Sequence, residues 1–460
     1  MSQHKRALHI FRRDLRLHDN TALQAALSSA AEVVTCFIFN DAQAGPHPFR
    51  SVNGLAFMIE SLEELAQAIE KRGGKLLVLH GEHAAVISKL IQQLEIDAVF
   101  FNRDYTPFSR ARDEAIAQAC KKLEVPCSTF GDALLVQPET FAKDDGKPYT
   151  VYTPFFKKAS KLEVAKPSGA PRGTFSTAAK FSGKTVAPRD FWPETAAPLR
   201  MSRGGRSQGA AILKSISDFA QYEEQRNLPA VRGTTLLASH HKFGTVSIRE
   251  SYHSVAATFG PGHTLIRELY WRDFFTHIAF HFPHVFKGAF HRMYDALEWS
   301  KDQRLFKAWC AGKTGFPIVD AGMRELVQTG FMHNRVRMIV ASFLVKDLHI
   351  NWQKGEQFFA QHLTDYDPAV NNGSWQWAAS TGCDAQPYFR IFNPWLQQAR
   401  FDPGCEYIKR WVPELKQLSP KYIHTMHEPD MTRSVDYPEP VVEHGTQKVI
   451  AEEMFRECKG

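Results

Sequence analysis

The 460-residue chain has no run approaching the ~20 consecutive apolar residues that a membrane helix requires. Its start, MSQHKRALHIFRRD, has no apolar stretch followed by a small-residue cleavage site. A soluble, untargeted chain of the cytoplasm is the expectation. The seven cysteines (Cys36, Cys120, Cys127, Cys310, Cys383, Cys405 and Cys458) are odd in number and scattered, with no C-x-x-C pair and no His at metal-ligand spacing. That pattern fits a reducing compartment and speaks against zinc or another metal. There is no internal repeat. No G-x-G-x-x-G opens the first helical segment, where Arg12, Arg13, Asp14, Arg16 and Asp19 stand instead, so the usual dinucleotide fingerprint is missing.

What is present is a mildly basic chain, with a formal net charge of +7, which is compatible with a polyanionic partner without requiring one. Its 34 Phe and nine Trp gather in the second half beside Arg, a mixture suited to stacking on planar ligands or bases, although large cores also use aromatics. The runs Ala7 to Phe11, Val33 to Phe39, Lys75 to Leu79 and Ala98 to Phe101 are short and rich in branched and aromatic residues, and read as buried strands. Helix-period segments lie between them. The alternation predicts an α/β domain, a Rossmann-like parallel sheet with helices on both faces, over residues 1–135. A Pro-, Gly- and Ser-rich connection over 136–205 follows, and then an all-α domain over 206–460. Expected helices in that domain include Ala210 to Arg226, Leu265 to Phe282 and Arg335 to Asn351.

Five blocks are more specific than general core: QYEEQRNLPAVRGTTLLASHHKFGTVSIR (Gln221 to Arg249), RELYWRDFF (Arg267 to Phe275), GKTGFPIVDAGMREL (Gly312 to Leu326), GFMHNRVRMIVASFLVKDL (Gly330 to Leu348) and DYDPAVNNGSWQWAASTGCDAQPYFRIFNP (Asp365 to Pro394). Together they resemble the FAD-binding domain of class I cyclobutane-pyrimidine-dimer photolyases in the cryptochrome/photolyase family. FRRDLRLHDN (Phe11 to Asn20) resembles the start of that family's antenna domain, so the resemblance spans nearly the whole chain.

The resemblance implies an FAD held in the helical domain, active when fully reduced. Tyr222, Thr234, Thr235, Leu236, Leu237 and Ala238 match the segment around the flavin phosphates, with Ala238 where a Ser hydroxyl is common. By themselves, such Thr pairs are usually helix caps. Asp365 and Asp367 match residues near the ribose and ring, and Arg337 matches the partner of Asp365. Asn371 matches the residue facing flavin N5, where a neutral amide can adapt to different protonation states. Trp375, Trp352 and Trp299 match an electron-transfer triad, although most tryptophans are core residues.

A dimer must be flipped out of the duplex to reach a buried flavin. The resemblance puts Trp271 and Trp377 on either side of it, with Glu268 stabilising the reduced dimer and Asn334 and Arg335 at its base edges. A surface ion pair with Arg272 is the alternative for Glu268. Asn334 and Met338 stand where (6-4)-specific relatives carry two histidines, which selects cyclobutane dimers, and His333 is read as structural. Arg226, Arg390 and Gln397 are candidate DNA or pocket contacts. The antenna block Phe101 to Glu114 has Thr106 where folate-binding members have Glu, so a second chromophore is expected to be a deazaflavin or flavin over folate, with an empty pocket the alternative. Arg12, Arg103, Asp104 and Phe108 could line that site, or be explained by caps and ion pairs. The implied activity is blue-light repair of pyrimidine dimers in single- or double-stranded DNA by a carbon–carbon lyase, acting as a monomer. A cryptochrome-like photoreceptor is the alternative.

Overall fold

The computed structural model describes residues 3–428 and 435–458. Five parallel strands, β1 (His4–Phe11), β2 (Ala30–Phe39), β3 (Leu76–His80), β4 (Ala98–Asn102) and β5 (Cys127–Phe130), form one sheet in the order β3-β2-β1-β4-β5. In register, Ala7 lies between Val33 and Ala98. Alternate strand residues feed two separate cores. Leu8, Ile10, Val34 and Val99 pack with Ile87, Leu90 and Ile116 on one face, and Ala7, Phe11, Val33 and Phe37 pack with Leu23, Ile59 and Leu62 on the other. Burial on both faces is why these strands read as unbroken apolar runs. Asn20, Ser51, Glu82 and Thr106 each accept a backbone N–H at the start of a helix beside the sheet.

The strand order reverses between β1 and β4, and in such sheets the crevice at the carboxyl ends there is the usual ligand site. In this chain it is filled by the chain's own polar side chains. Asn102 donates to Asp14 (2.6 Å) and Asn20 (2.8 Å), and Arg13 bridges Asp104 (2.9 Å) and Asp367 of the helical part (2.7 Å). Arg16 reaches Asp132 (2.6 Å) and the carbonyl of Gly244 (3.0 Å), while Arg249 grips Asp19 (2.9 Å) and Asp132 (2.8 Å). The charges of FRRDLRLHDN are therefore the joint between the sheet and the helices.

The connecting segment carries more structure than its composition suggests. Helix Tyr152–Ala159 packs on helix Thr264–His281, and residues 174–186 line the open edge of the sheet. There Val33 N–H donates to Thr174 O (2.9 Å) and Val186 N–H donates to Val78 O (3.0 Å), which covers an otherwise unpaired edge.

The helical part is built around helices Pro317–Thr329, Asn334–Ser342, Trp352–His362 and Pro368–Ala379, with Thr264–His281 central to a second cluster. Two of the expected helices are broken. Ala210 to Arg226 divides into Arg206–Lys214, Ile216–Phe219 and Tyr222–Gln225, where the Ser215 hydroxyl bonds back to Ala211 O (3.3 Å) and competes with helix continuation. Arg335 to Asn351 runs through a π turn, Phe343–Asp347, and stops at His349 in the left-handed region (φ 51°), where Ile350 N–H closes onto Leu344 O (3.0 Å). Among the described residues no helix is long and apolar enough to cross a membrane.

Arg13 is the test of the joint. Its carboxylate partners are buried, and the guanidinium between them holds both well below the usual carboxylate range. Arg13→Met should cost about 3–5 kcal/mol, the scale for breaking a buried ion pair from one side. Urea unfolding at pH 7 measures it, and a loss under 1 kcal/mol would remove the ion pair from its place in the account.

Candidate active site

Helix Pro368–Ala379 begins where Asp367 caps Ala369 N–H (3.1 Å) and Val370 N–H (3.4 Å) while its other oxygen takes Arg13. One carboxylate thereby sets both the docking of the sheet and the start of the helix that carries Asn371, Trp375 and Trp377. Asn371 is buried, and its amide donates to Glu356 O (3.1 Å). Arg337 and Asp365 form the expected bidentate pair (2.9 and 3.2 Å), and Arg337 Nε also donates to Met332 O (2.8 Å). Shared donors and acceptors of this kind make a partly buried pair tolerable.

Tyr222 is buried under the guanidinium of Arg226, 5.7 Å from its ring centroid. Thr234 to Leu237 form a turn with Leu236 in the left-handed region (φ 57°), a conformation that costs a non-glycine residue energy and concentrates at functional sites. Thr235 Oγ accepts Leu237 N–H (3.4 Å), so part of the capping alternative holds for it. Helix Ala238–Phe243 then starts with no side-chain cap, and Ala238 supplies no hydroxyl. Backbone N–H groups at a helix start are suited to anionic oxygen. Half-buried Lys242, brought down to about 8 by burial, adds positive charge beside Arg13 and Arg272. The donor set fits a flavin dinucleotide.

Glu356 was not singled out from sequence. It is buried, accepts Asn372 (2.9 Å), and is pushed up to about 7 by desolvation next to the Asn371 amide. A carboxylate four residues after Trp352, in INWQKGE, was the available signal.

Trp375 is buried, with its ring against Phe359 (4.9 Å) and Trp309 (6.2 Å). A side chain at Gly355 would meet the Trp375 ring at 2.1 Å, so that glycine lets the indole lie on helix Trp352–His362, which begins with Trp352 itself. Trp299 is half-buried against Phe455 (6.3 Å). Trp375 and Trp352 belong to one core cluster, and Trp299 packs against it. Trp309, which donates from Nε1 to Val340 O (3.0 Å), is a fourth indole in that cluster that ordinary helical spacing had concealed.

The surface pair of Glu268 with Arg272 does not form. Arg272 turns inward to the carbonyls of Ala133 (2.5 Å) and His241 (3.4 Å), because buried acceptors there would otherwise be unmet, and Glu268 pairs with Arg226 (2.8 Å). Burial raises the Glu268 carboxyl while Arg226 opposes the rise, and the side chain stays 39% exposed. One turn on, Trp271 stacks face to face on Tyr152 (3.6 Å, 7°). Asn334 and Met338 meet across one helical turn (3.9 Å), and Arg335 bonds Asn227 (2.7 Å) over the Phe401 ring. His333 caps that helix by accepting Arg335 N–H (3.2 Å), and burial brings it down to about 4, so it is neutral and structural. Trp377 is half-buried, Arg390 is exposed, and Gln397 is half-buried with an amide oxygen that has no partner among the described residues. No hydrogen bond joins Arg390 or Gln397 to Glu268 among the described residues.

In the sheet domain, Arg12 pairs with Asp113 over the Phe101 ring, Arg103 pairs with Glu139 (3.1 Å), and Asp104 is taken by Arg13. Ion pairs explain these three, and Phe108 stays 43% exposed. Among the described residues no group of three His, Cys, Asp or Glu could hold a metal.

A five-stranded parallel α/β sheet locked onto a large helical body, with a partly buried Arg337–Asp365 pair inside it, is the architecture of a two-part α/β and α protein. The chain belongs to the DNA photolyase family. Residues 7–172 match the family model for DNA photolyase and residues 265–457 match the one for the FAD binding domain of DNA photolyase, which makes FAD its cofactor. It is 36% identical to the deoxyribodipyrimidine photo-lyase of Synechococcus, over 97% of this chain and 96% of that one, and 36% identical to that of Escherichia coli, over 95% and 96%. Among solved structures it resembles a Sulfolobus tokodaii photolyase with two FAD molecules (TM-score 0.89, 40% identity, 98% and 100% coverage) and an Agrobacterium tumefaciens class III photolyase (TM-score 0.92, 34% identity, 100% and 98% coverage).

Glu356 carries a pH prediction. Because its folded value is raised to about 7 from 4.5, the stability it contributes is complete below about pH 4.5 and is lost as pH rises toward 7. Glu356→Gln keeps the acceptor for Asn372 without the titration. The variant should melt higher than the parent at pH 8 and close to it at pH 5, and melting curves at the two pH values measure the difference.

Proposed function

We propose that the chain repairs cyclobutane pyrimidine dimers in DNA by light-driven electron transfer. The observation that carries the reading is the placement of Glu268 and Trp271 one turn apart on helix Thr264–His281, with the carboxylate held at the surface by Arg226 rather than by its helical neighbour. Reduced FAD, when bound, supplies the electron that light drives onto the dimer. The chain's residues do the rest. Trp271 and Trp377 present apolar faces to a flipped-out dimer, Glu268 holds a base edge and stabilises the charge that arrives there, and Asn334 and Arg335 fix its orientation. Asn334 and Met338 in place of a histidine pair support cyclobutane dimers as the lesion. Asn371 and the Arg337–Asp365 pair orient the flavin, and Trp375, Trp352 and Trp299 carry reducing electrons inward from the surface. Arg226, Arg390 and Gln397 meet the DNA strand, where neutralised phosphates supply most of the affinity. The second chromophore is a deazaflavin or flavin, a reading supported by Thr106 acting as a helix cap and by the Sulfolobus relative.

The test is repair of a thymine-dimer oligonucleotide by the reduced protein in blue light and in darkness. Repair should need light, and Glu268→Ala should lower its yield by about tenfold, the scale of one hydrogen bond to a charged group. A photoreducible protein that leaves the dimer intact would overturn the reading in favour of signalling.

A further inference from the structure

The Tyr152–Trp271 stack was not foreseen from sequence and is not consumed by the roles above. Tyr152 opens helix Tyr152–Ala159 in the segment between the sheet and the helical body. It makes three separate contacts around the lesion side of the molecule. Its ring lies parallel to Trp271 at 3.6 Å and 7°. Its hydroxyl donates to Arg267 O (2.9 Å), the residue immediately before Glu268. Its backbone N–H donates to the Asp384 carboxylate (2.9 Å), at the head of the loop that leads to Arg390. Phe156, one turn on, backs the same ring (5.8 Å, 18°) and meets Tyr270 edge-on (5.4 Å), so Tyr152 is itself held from behind.

An indole at the surface of a pocket has two side-chain torsions free to wander, and immobilising it when a ligand arrives costs binding energy. A parallel aromatic partner removes that cost beforehand. It also covers one face of Trp271, whose ring is met as well by Phe274 edge-on (5.7 Å) and by Phe275 at a tilt (5.5 Å). We propose that Tyr152 is a positioning residue for lesion recognition: its ring clamps Trp271 in the orientation that receives the flipped-out dimer, while its hydroxyl and N–H tie that wall to the Glu268 turn and to the Arg390 loop. The inference rests on the reading of Trp271 as a wall of the lesion pocket.

The geometry separates the ring from the hydroxyl, and so can an experiment. Binding of a single-dimer oligonucleotide and of its undamaged counterpart is measured for the FAD-loaded protein and for Tyr152→Ala, Tyr152→Phe and Trp271→Ala. Repair at saturating oligonucleotide is followed in parallel. Tyr152→Ala should weaken dimer binding by about two- to tenfold, the range for one aromatic pair, without changing affinity for undamaged DNA. Its repair rate at saturation should stay close to the parent's. Tyr152→Phe should restore dimer selectivity, because the ring face is what clamps the indole. If Tyr152→Ala does not fold, Tyr152→Leu, which fills the space without a planar face, carries the same expectation. The inference is overturned if Trp271→Ala loses selectivity while Tyr152→Ala keeps it, since the pocket then exists without the clamp. It is overturned equally if Phe and Ala are alike, since the hydroxyl would then be the working group. If Trp271→Ala itself keeps full selectivity, the pocket reading fails first and the clamp falls with it.

Discussion

The buried guanidinium of Arg13 ties the two halves of this molecule together, beside the links made by Arg16 and Arg249. Arg13 leaves the end of β1, crosses the point where the strand order reverses, and binds Asp104 on its own side and Asp367 on the other. Its side chain is 15% exposed and those of its partners 12% and 8%. In so dry a place neither carboxylate would be tolerated alone. Because Asp367 also caps helix Pro368–Ala379, the arginine fixes the direction from which Asn371, Trp375 and Trp377 enter the centre of the helical part. At the crevice where the strand order reverses, the chain's own polar side chains join the sheet to the helices.

The consequence is a division of labour. The sheet lends its switch point to docking, and the match to the FAD-binding domain falls on the helices, where the Arg337–Asp365 pair stands. The proposed lesion side draws on several distant segments: Glu268 and Trp271 from one helix, Asn334 and Met338 from another, and Arg390 from a loop. Tyr152 comes from the connecting segment and touches two of these. A pocket put together from so many pieces depends on the rigidity of its supports, and aromatic stacking with backbone hydrogen bonds supplies that rigidity at Trp271.

Much of this was legible in the residues. Apolar runs that alternate with helix-period segments gave the sheet and its helices, since burial on both faces leaves no other pattern. The matched blocks gave the Arg337–Asp365 pair, and His333 read as structural without its capping of Arg335 N–H being foreseen. The partner of Glu268 was not legible from helical spacing, because i to i+4 geometry allows Arg272 while burial of Arg272 decides for Arg226. Nor was Tyr152, whose segment reads as a connection: its neighbours Trp271 and Asp384 are over a hundred positions away, and contacts of that range leave no local periodicity. The helix break at His349 escaped for a related reason, since no glycine or proline announces it. Glu356 and Trp309 sat inside segments whose composition matched ordinary helix cores.

The central claim is that this surface recognises a distorted, flippable lesion rather than DNA at large. The most direct measurement is competition, at moderate salt, between an oligonucleotide containing one thymine dimer and an undamaged one of the same length and sequence. The account predicts that the dimer-containing strand wins by a wide margin that persists as salt rises, while both affinities fall together. Equal competition at every salt concentration would contradict it.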